Sequence, residues 1–279
     1  MRRMMDRYWA YLGLVAAVAL MARPACAASP AVTAAETMVS VNLGVMHTQY
    51  HENLSPGDDE SGYTPGFGVS ASVLEPSAFR NIDLYAMLDY QFDAGNIKYA
   101  GHYQPEDGGG AADATDRAVF NRIDARLGIG LPVAGGGEAI PYAAAGYQAW
   151  NRNVDSPNTV DGGEFYHAAL FGLGWKFDQP LGGPLVASAN GELLGLAGGG
   201  ITANGDNFGR GFGVTPEERV DLGLDDAVSG PFHVFASVYW QHFNYSGTHP
   251  EYYSSYYIYE PFSTTTNIGA NIGVGFSFN

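Results

Sequence analysis

Charged side chains fall at even spacings along extended segments: Asp83 and Asp89, then Arg122, Asp124 and Arg126, then Lys176, Glu192, Asp221 and Asp225. Each shares a strand face with small residues and lies opposite an alternating apolar set, so all would look the same way if the segments paired. Enclosed charges of both signs must pair or stay hydrated. The chemistry they offer is therefore a structural ion-pair network or, in an open passage, the selection of ions. Acids also cluster in polar stretches (Asp58, Asp59 and Glu60; Glu106 and Asp107; Asp113 and Asp116). Their spacing does not match the alternating Asp loop that holds calcium, so neither a metal site nor a cofactor is expected. His47, His167 and His242 share faces with Val45, with Phe165 and Ala169, and with Trp240. That parity separates them from the acids and leaves no Asp–His pair for hydrolytic chemistry.

The elements that would position these residues alternate with period two from about residue 38 onward. "VSVNLGVMH" sets Val39, Val41, Leu43 and Val45 against Ser40, Asn42 and Gly44, and "NIGANIGVGFSFN" sets Ile268, Ile272, Val274, Phe276 and Phe278 against Asn and Gly. Similar segments lie near 66–73, 82–92, 119–131, 139–151, 164–178, 184–196, 218–228 and 231–245. Long polar connections such as "HENLSPGDDESGYT" alternate with short turns such as "SGP". A soluble sandwich has no reason for that rule, whereas a transmembrane barrel has short turns on one side and long loops on the other. The expected fold is all-β: a closed, up-and-down antiparallel transmembrane barrel over 38–279, of about ten strands, with eight as the alternative if 197–228 folds inward. Its apolar face would meet lipid and its small, partly charged face would line a narrow lumen. Aromatics mark two belts, with Tyr90, Phe92, Trp150, Phe165, Trp240 and Tyr245 on the loop side and Phe79, Trp175, Phe177, Phe232, Phe276 and Phe278 on the turn side.

Residues 1–27 carry Arg2, Arg3 and Arg7 ahead of an apolar run and then Ala25 and Ala27, the plan of a cleaved secretory signal. A short periplasmic segment, 28–37, would lead into the barrel. The whole chain has a formal charge of −16, and the leader holds four basic residues (Arg2, Arg3, Arg7, Arg23) against Asp6, so the remainder is more acidic still. Nucleic acid is thereby an improbable partner. The single cysteine, Cys26, would leave with the leader, so no disulfide framework is expected. Charged residues make up only 15% of the chain, against about 25% in a soluble domain, a deficit that lipid on the outer face explains.

The last strand, with Ile272, Val274, Phe276 and Phe278, resembles the C-terminal signature that the assembly machinery of Gram-negative outer-membrane barrels reads, although Asn279 follows the final Phe. "PYAAAGYQAW" is similar to the ascending strands of small OmpA-like and porin-like barrels. The resemblance implies an outer-membrane location, with lipid, lipopolysaccharide and the assembly machinery as partners. Divalent ions could bridge the loop acids to lipopolysaccharide phosphates. Ten strands also invite comparison with the omptin proteases, which use Asp and His at the outer rim of the lumen; the outward parity of the histidines speaks against that activity, and no enzyme is expected. The last loop, "HPEYYSSYYIYEPF", places Tyr252, Tyr253, Tyr256, Tyr257 and Tyr259 where recognition is a natural use of such rigid rings. The functional expectation is a monomeric structural or surface-interaction barrel with a filled lumen, the alternative being a narrow passive channel. A closed barrel should run at different positions on a gel when boiled and unboiled; an unchanged position would sink the fold.

Overall fold

The structure, a computed structural model, describes residues 28–79, 82–102, 110–155, 163–203, 206–207, 211–253 and 256–278. The expected leader and Asn279 lie outside them. A short helix, α1 (Pro30–Ala35), precedes ten long strands: β1 (Met38–Glu52), β2 (Asp59–Phe79), β3 (Ile82–His102), β4 (Ala111–Pro132), β5 (Glu138–Arg152), β6 (Glu164–Gly182), β7 (Leu185–Ala203), β8 (Thr215–Ser229), β9 (Phe232–Tyr245) and β10 (Ser263–Ser277). Each strand pairs antiparallel with the next. β10 returns to β1 in register, Val41 opposite Val274 and Leu43 opposite Ile272, which closes the barrel. The stretch over 218–228 is a full strand that pairs with both β7 and β9, so the barrel has ten strands and the eight-strand alternative falls.

The apolar set faces outward. Leu43 is 69% exposed, Leu173 70% and Ile272 63%, and they belong to a continuous band of exposed Leu, Ile, Val and Phe. Water does not tolerate so large an apolar surface, so the band is the lipid contact. Phe276 and Phe278 are exposed at its turn-side edge, and Phe232 meets Phe276 edge to face with ring centres 5.3 Å apart. Tyr90, Phe92, Phe165 and Trp240 alternate with inward-facing neighbours and mark the loop-side edge. The side chain of Phe79 lies outside the described residues.

Inside, glycines make room for rings. Gly174 stands opposite Tyr142, and Gly269 opposite Tyr239. A Cβ at either glycine would strike the facing tyrosine ring. The bare inner face read from the sequence is thus half of a glycine–tyrosine pairing across neighbouring strands. At the turn side, tight reversals rest on positive-φ glycines, Gly183 at 58° and Gly230 at 55°.

Two expectations need correction. The long polar connections are largely strand: His51, Glu52 and residues 59–64 continue the β1–β2 ladder, and β3 and β4 pair from Phe92–Asn121 out to His102–Ala111. A strand of 21 residues such as β2 runs about 70 Å, or about 50 Å of height at the usual tilt, twice the ~25 Å apolar band. The walls therefore rise well beyond the lipid, and there the outward positions turn polar, as at Asn96, Lys98, Asp113 and Arg117. Trp150 and Tyr245, expected in the outer belt, are only 2% exposed and point inward. We predict that Gly269→Val lowers the unfolding free energy by about 1–3 kcal/mol through overpacking against Tyr239. In urea titrations the cost should shrink when Tyr239→Ala is introduced alongside.

Candidate functional site: the filled lumen

The lumen is organised in tiers. At the turn side, α1 crosses it, capped by Ser29, whose Oγ accepts from the Val32 amide. The helix packs on β2 and, from the opposite wall, on β6, β7 and β8. Val32 and Ala35 are buried in the same core as Tyr85 and Ile140. The segment 28–37, expected as a periplasmic lead-in, instead fills the end of the barrel. Lys176 pairs with Glu36 behind the helix and lies 3.6 Å from Asp178. Asp83 accepts from the Ser77 amide at 2.7 Å, and Asp225 holds His233 at 2.6 Å.

The middle tier is an arginine–carboxylate lattice. Arg122 pairs with Asp124 at 2.6 Å and with Glu217, and lies 3.8 Å from Glu192. Arg126 forms an ion pair with Glu192, Nε to Oε1 2.8 Å, and lies over the Tyr142 ring; the Tyr142 hydroxyl reaches the same Glu192 oxygen at 2.9 Å. Arg219 grips Asp221 with two nitrogens at 2.9 and 3.0 Å, and its guanidinium stacks 4.8 Å from the Tyr239 ring centre. Asp89 sits among Arg126, Arg219, Asp124 and Asp221. Above the lattice, Gln91, Asp93, Gln148, Gln241 and Asn267 border a cavity of about 40 Å³, room for about three waters.

The upper tier is aromatic and acidic. Phe120, Trp150 and Tyr166 stack at 5.2 and 5.3 Å, and Tyr245 and Phe212 continue the stack at 4.7 Å from each other. Arg152 inserts among Tyr50, Tyr99 and Trp150 and pairs with Glu60 and with Glu164, the latter at 2.6 Å. Glu260, from the last loop, is buried here.

Every charged residue expected to line the lumen faces inward, but they do not form one ring. Asp83, Lys176 and Asp225 belong to the turn-side tier, and Asp89, Arg122, Asp124, Arg126, Glu192 and Asp221 to the lattice. Sequence reading missed Glu217 and Arg219, which share the parity of Asp221: Glu217 lies one residue before the expected strand 218–228, and Arg219 lies inside it on the same inward face. It also missed the whole upper tier, because Arg152, Glu60 and Asp116 lie in stretches read as strand end or loop. His47, His167 and His242 face outward as parity requires; His47 leans on Tyr63 and His242 stacks on Trp240. Residues 251–253 and 256–258 form a small hairpin, Tyr252 opposite Tyr257 and Tyr253 opposite Tyr256, while the Tyr259 ring is exposed. The side chains of the first four of these tyrosines lie outside the described residues. Ile272, Val274 and Phe276 are displayed on the lipid face of β10, and Phe278, just past its end, is exposed as well.

A closed ten-strand antiparallel wall, an apolar outer band and a polar filled interior define an outer-membrane-type β-barrel. Among solved structures the chain is similar to the outer membrane protease OmpT from Escherichia coli, with a TM-score of 0.52 and 8% identity over 87% of this chain and 97% of that one. At that identity the likeness concerns the fold. The β domain of the Bordetella autotransporter BrkA matches with a TM-score of 0.42 and 11% identity over 86% of this chain and all of that one. Ail, the attachment invasion locus protein of Yersinia pestis, matches with a TM-score of 0.29 and 10% identity over 87% and 99%. No protein-family model matches the chain, and no curated protein matches it.

The lattice makes a quantitative prediction. Arg122→Met leaves Asp124 and Glu217 buried without their cation and should cost about 3–5 kcal/mol in unfolding free energy. Adding Glu217→Gln should recover part of that loss, measured by denaturant unfolding of the folded barrel.

Proposed function

We propose that the protein resides in the outer membrane as a monomeric barrel with a filled lumen, acting as a structural or surface-interaction protein through its raised walls and loops. The observation that carries this reading is the stacking of three side-chain tiers over a helix that crosses the lumen. Lipid and lipopolysaccharide are the partners of its outer face, and the barrel assembly machinery that of its last strand. The exposed ion pairs Lys98–Asp113, at 3.6 Å, and Arg117–Asp155, at 2.7 Å, lie on the walls above the apolar band, where other surface molecules would meet them. The reading includes no enzymatic activity. The histidines around the upper tier, His47, His51, His167 and His242, turn away from the lumen, and His51 pairs with Asp59 at 2.7 Å on the exposed outer side of the wall.

A narrow channel is the second reading. The acids of the lumen outnumber its arginines and lysine, which would favour cations. Reconstituted into a planar bilayer, the filled barrel should give no steady conductance. Reproducible single-channel steps would overturn the structural reading in favour of the channel.

A further inference from the structure

The mouth of the barrel contains more hydrogen-bond contacts than hydroxyl protons to fill them. The Tyr50 hydroxyl lies 3.3 Å from Glu52 Oε1 and 3.2 Å from Glu260 Oε1. The Tyr166 hydroxyl lies 3.2 Å from Glu164 Oε2 and 2.8 Å from the same Glu260 oxygen. A phenol has one proton to give and an ionised carboxylate has none. Two tyrosines therefore serve two of these four contacts, and the others need protons on the carboxyls themselves. Glu60 is buried beside Asp116, whose charge adds to the burial that favours the protonated form of Glu60.

The cations cannot make up the difference. Arg152 is the guanidinium of this tier, and it already engages Glu60 and Glu164, with Asp58 at 3.5 Å. Asp58 in turn accepts from the Tyr99 hydroxyl at 2.7 Å. Among the described residues no group of acidic or histidine side chains has the convergence a metal ion needs.

Glu260 is also the point where the last loop enters the barrel. Tyr259 and Phe262 are exposed, while Glu260 between them is buried. The loop is otherwise tied by Thr248 N to Glu260 O and Glu260 N to Thr248 Oγ1, each 2.8 Å, and by Asn53 N to Phe262 O at 2.8 Å. We propose that Glu260 is a proton-operated latch that holds the C-terminal end of the last loop against Tyr50 and Tyr166 when its carboxyl cluster is protonated and releases it as the pH rises. The latch goes beyond the filled-lumen reading and is independent of whether the lumen conducts.

The electrostatics agree in sign. The cluster stands above the aromatic belt, outside the lipid. Burial, with Asp58 adding to it, pushes Glu52 up to about 7; burial pushes Glu60 to about 8 against the pull of Arg152; and burial with Glu164 pushes Glu260 to about 8. The closed mouth thus holds protons that an open one, with values near the ordinary 4.5, would lose. Its contribution is complete below about pH 4.5 and fades as the pH climbs through 7 to 8.

Trp150 stacks on Tyr166 and is a reporter beneath the latch. In the folded barrel lacking residues 1–27, and with them Trp9, and carrying Trp175→Phe and Trp240→Phe, acrylamide quenching of Trp150 should rise severalfold between about pH 5.5 and about pH 8.5, values that bracket the titration. Glu260→Gln keeps an acceptor for both tyrosines but cannot ionise, so the rise should weaken and move to higher pH. Glu260→Ala should leave Trp150 open to quencher at both values. Unboiled gel position checks that each variant is folded. Quenching that is flat with pH in the parent, unchanged by Glu260→Gln, or low at both values in Glu260→Ala overturns the latch. If a variant does not fold, the parent's pH profile decides alone.

Discussion

Inside a bilayer no water is present to satisfy the peptide groups, and each unpaired group costs several kcal/mol. An all-strand chain meets that demand in one way, by pairing its last strand with its first. The register of β1 with β10, from Met38–Ser277 up to Glu52–Ser263, is that closure. The other features follow from it. A closed wall has an inside, ten strands make that inside too narrow to stay open without support, and side chains of fixed parity must fill it.

Filling a lumen with charges brings a second constraint, because groups removed from water need partners. The middle tier meets it with arginine guanidinium groups, Arg122 engaging several carboxylates at once and Arg126 and Arg219 lying over the rings of Tyr142 and Tyr239. The upper tier meets it differently. Its acids crowd around Arg152 alone, and tyrosine hydroxyls and protons replace the missing cations. The turn-side tier uses a piece of backbone, with α1 filling the space and Glu36 answering Lys176. An acidic chain with few basic residues can be tightly packed inside because three kinds of neutralisation share the work.

The barrel was legible in the sequence because lipid and lumen impose opposite demands on successive residues, and β1, β4 and β10 show the alternation without interruption. What blurred was its upper half. Above the lipid the outside of the wall meets water, so the apolar parity inverts. In β3, Leu84 and Leu88 face out, whereas Ile97 and Tyr99 face in; in β5, Tyr147 faces out and Trp150 in. A stretch that changes phase, with Asn, Lys and Gly between its apolar residues, reads as loop. The same inversion made Trp150 and Tyr245 look like belt residues. Their type fits either place, and only their parity relative to Gln148 and Gln241 tells them apart.

From its own letters the chain determines parity and the hand-over between long and short connections, because these depend on side chains one or two residues apart, whereas ten strands rather than eight follows from the pairing of β8 with β7 and β9. The inward direction of Asp83, Arg122, Glu192 and Asp221 was fixed at that level, and so was the outward direction of Phe276 and Phe278. Which charges meet was decided by the tertiary structure. Arg122 finds Glu217 across 95 positions of sequence, and Tyr166 finds Glu260 across 94. Such partners are set by strand stagger around a closed wall and by where a loop re-enters the mouth. Both are properties of the finished cylinder, and no local pattern encodes them.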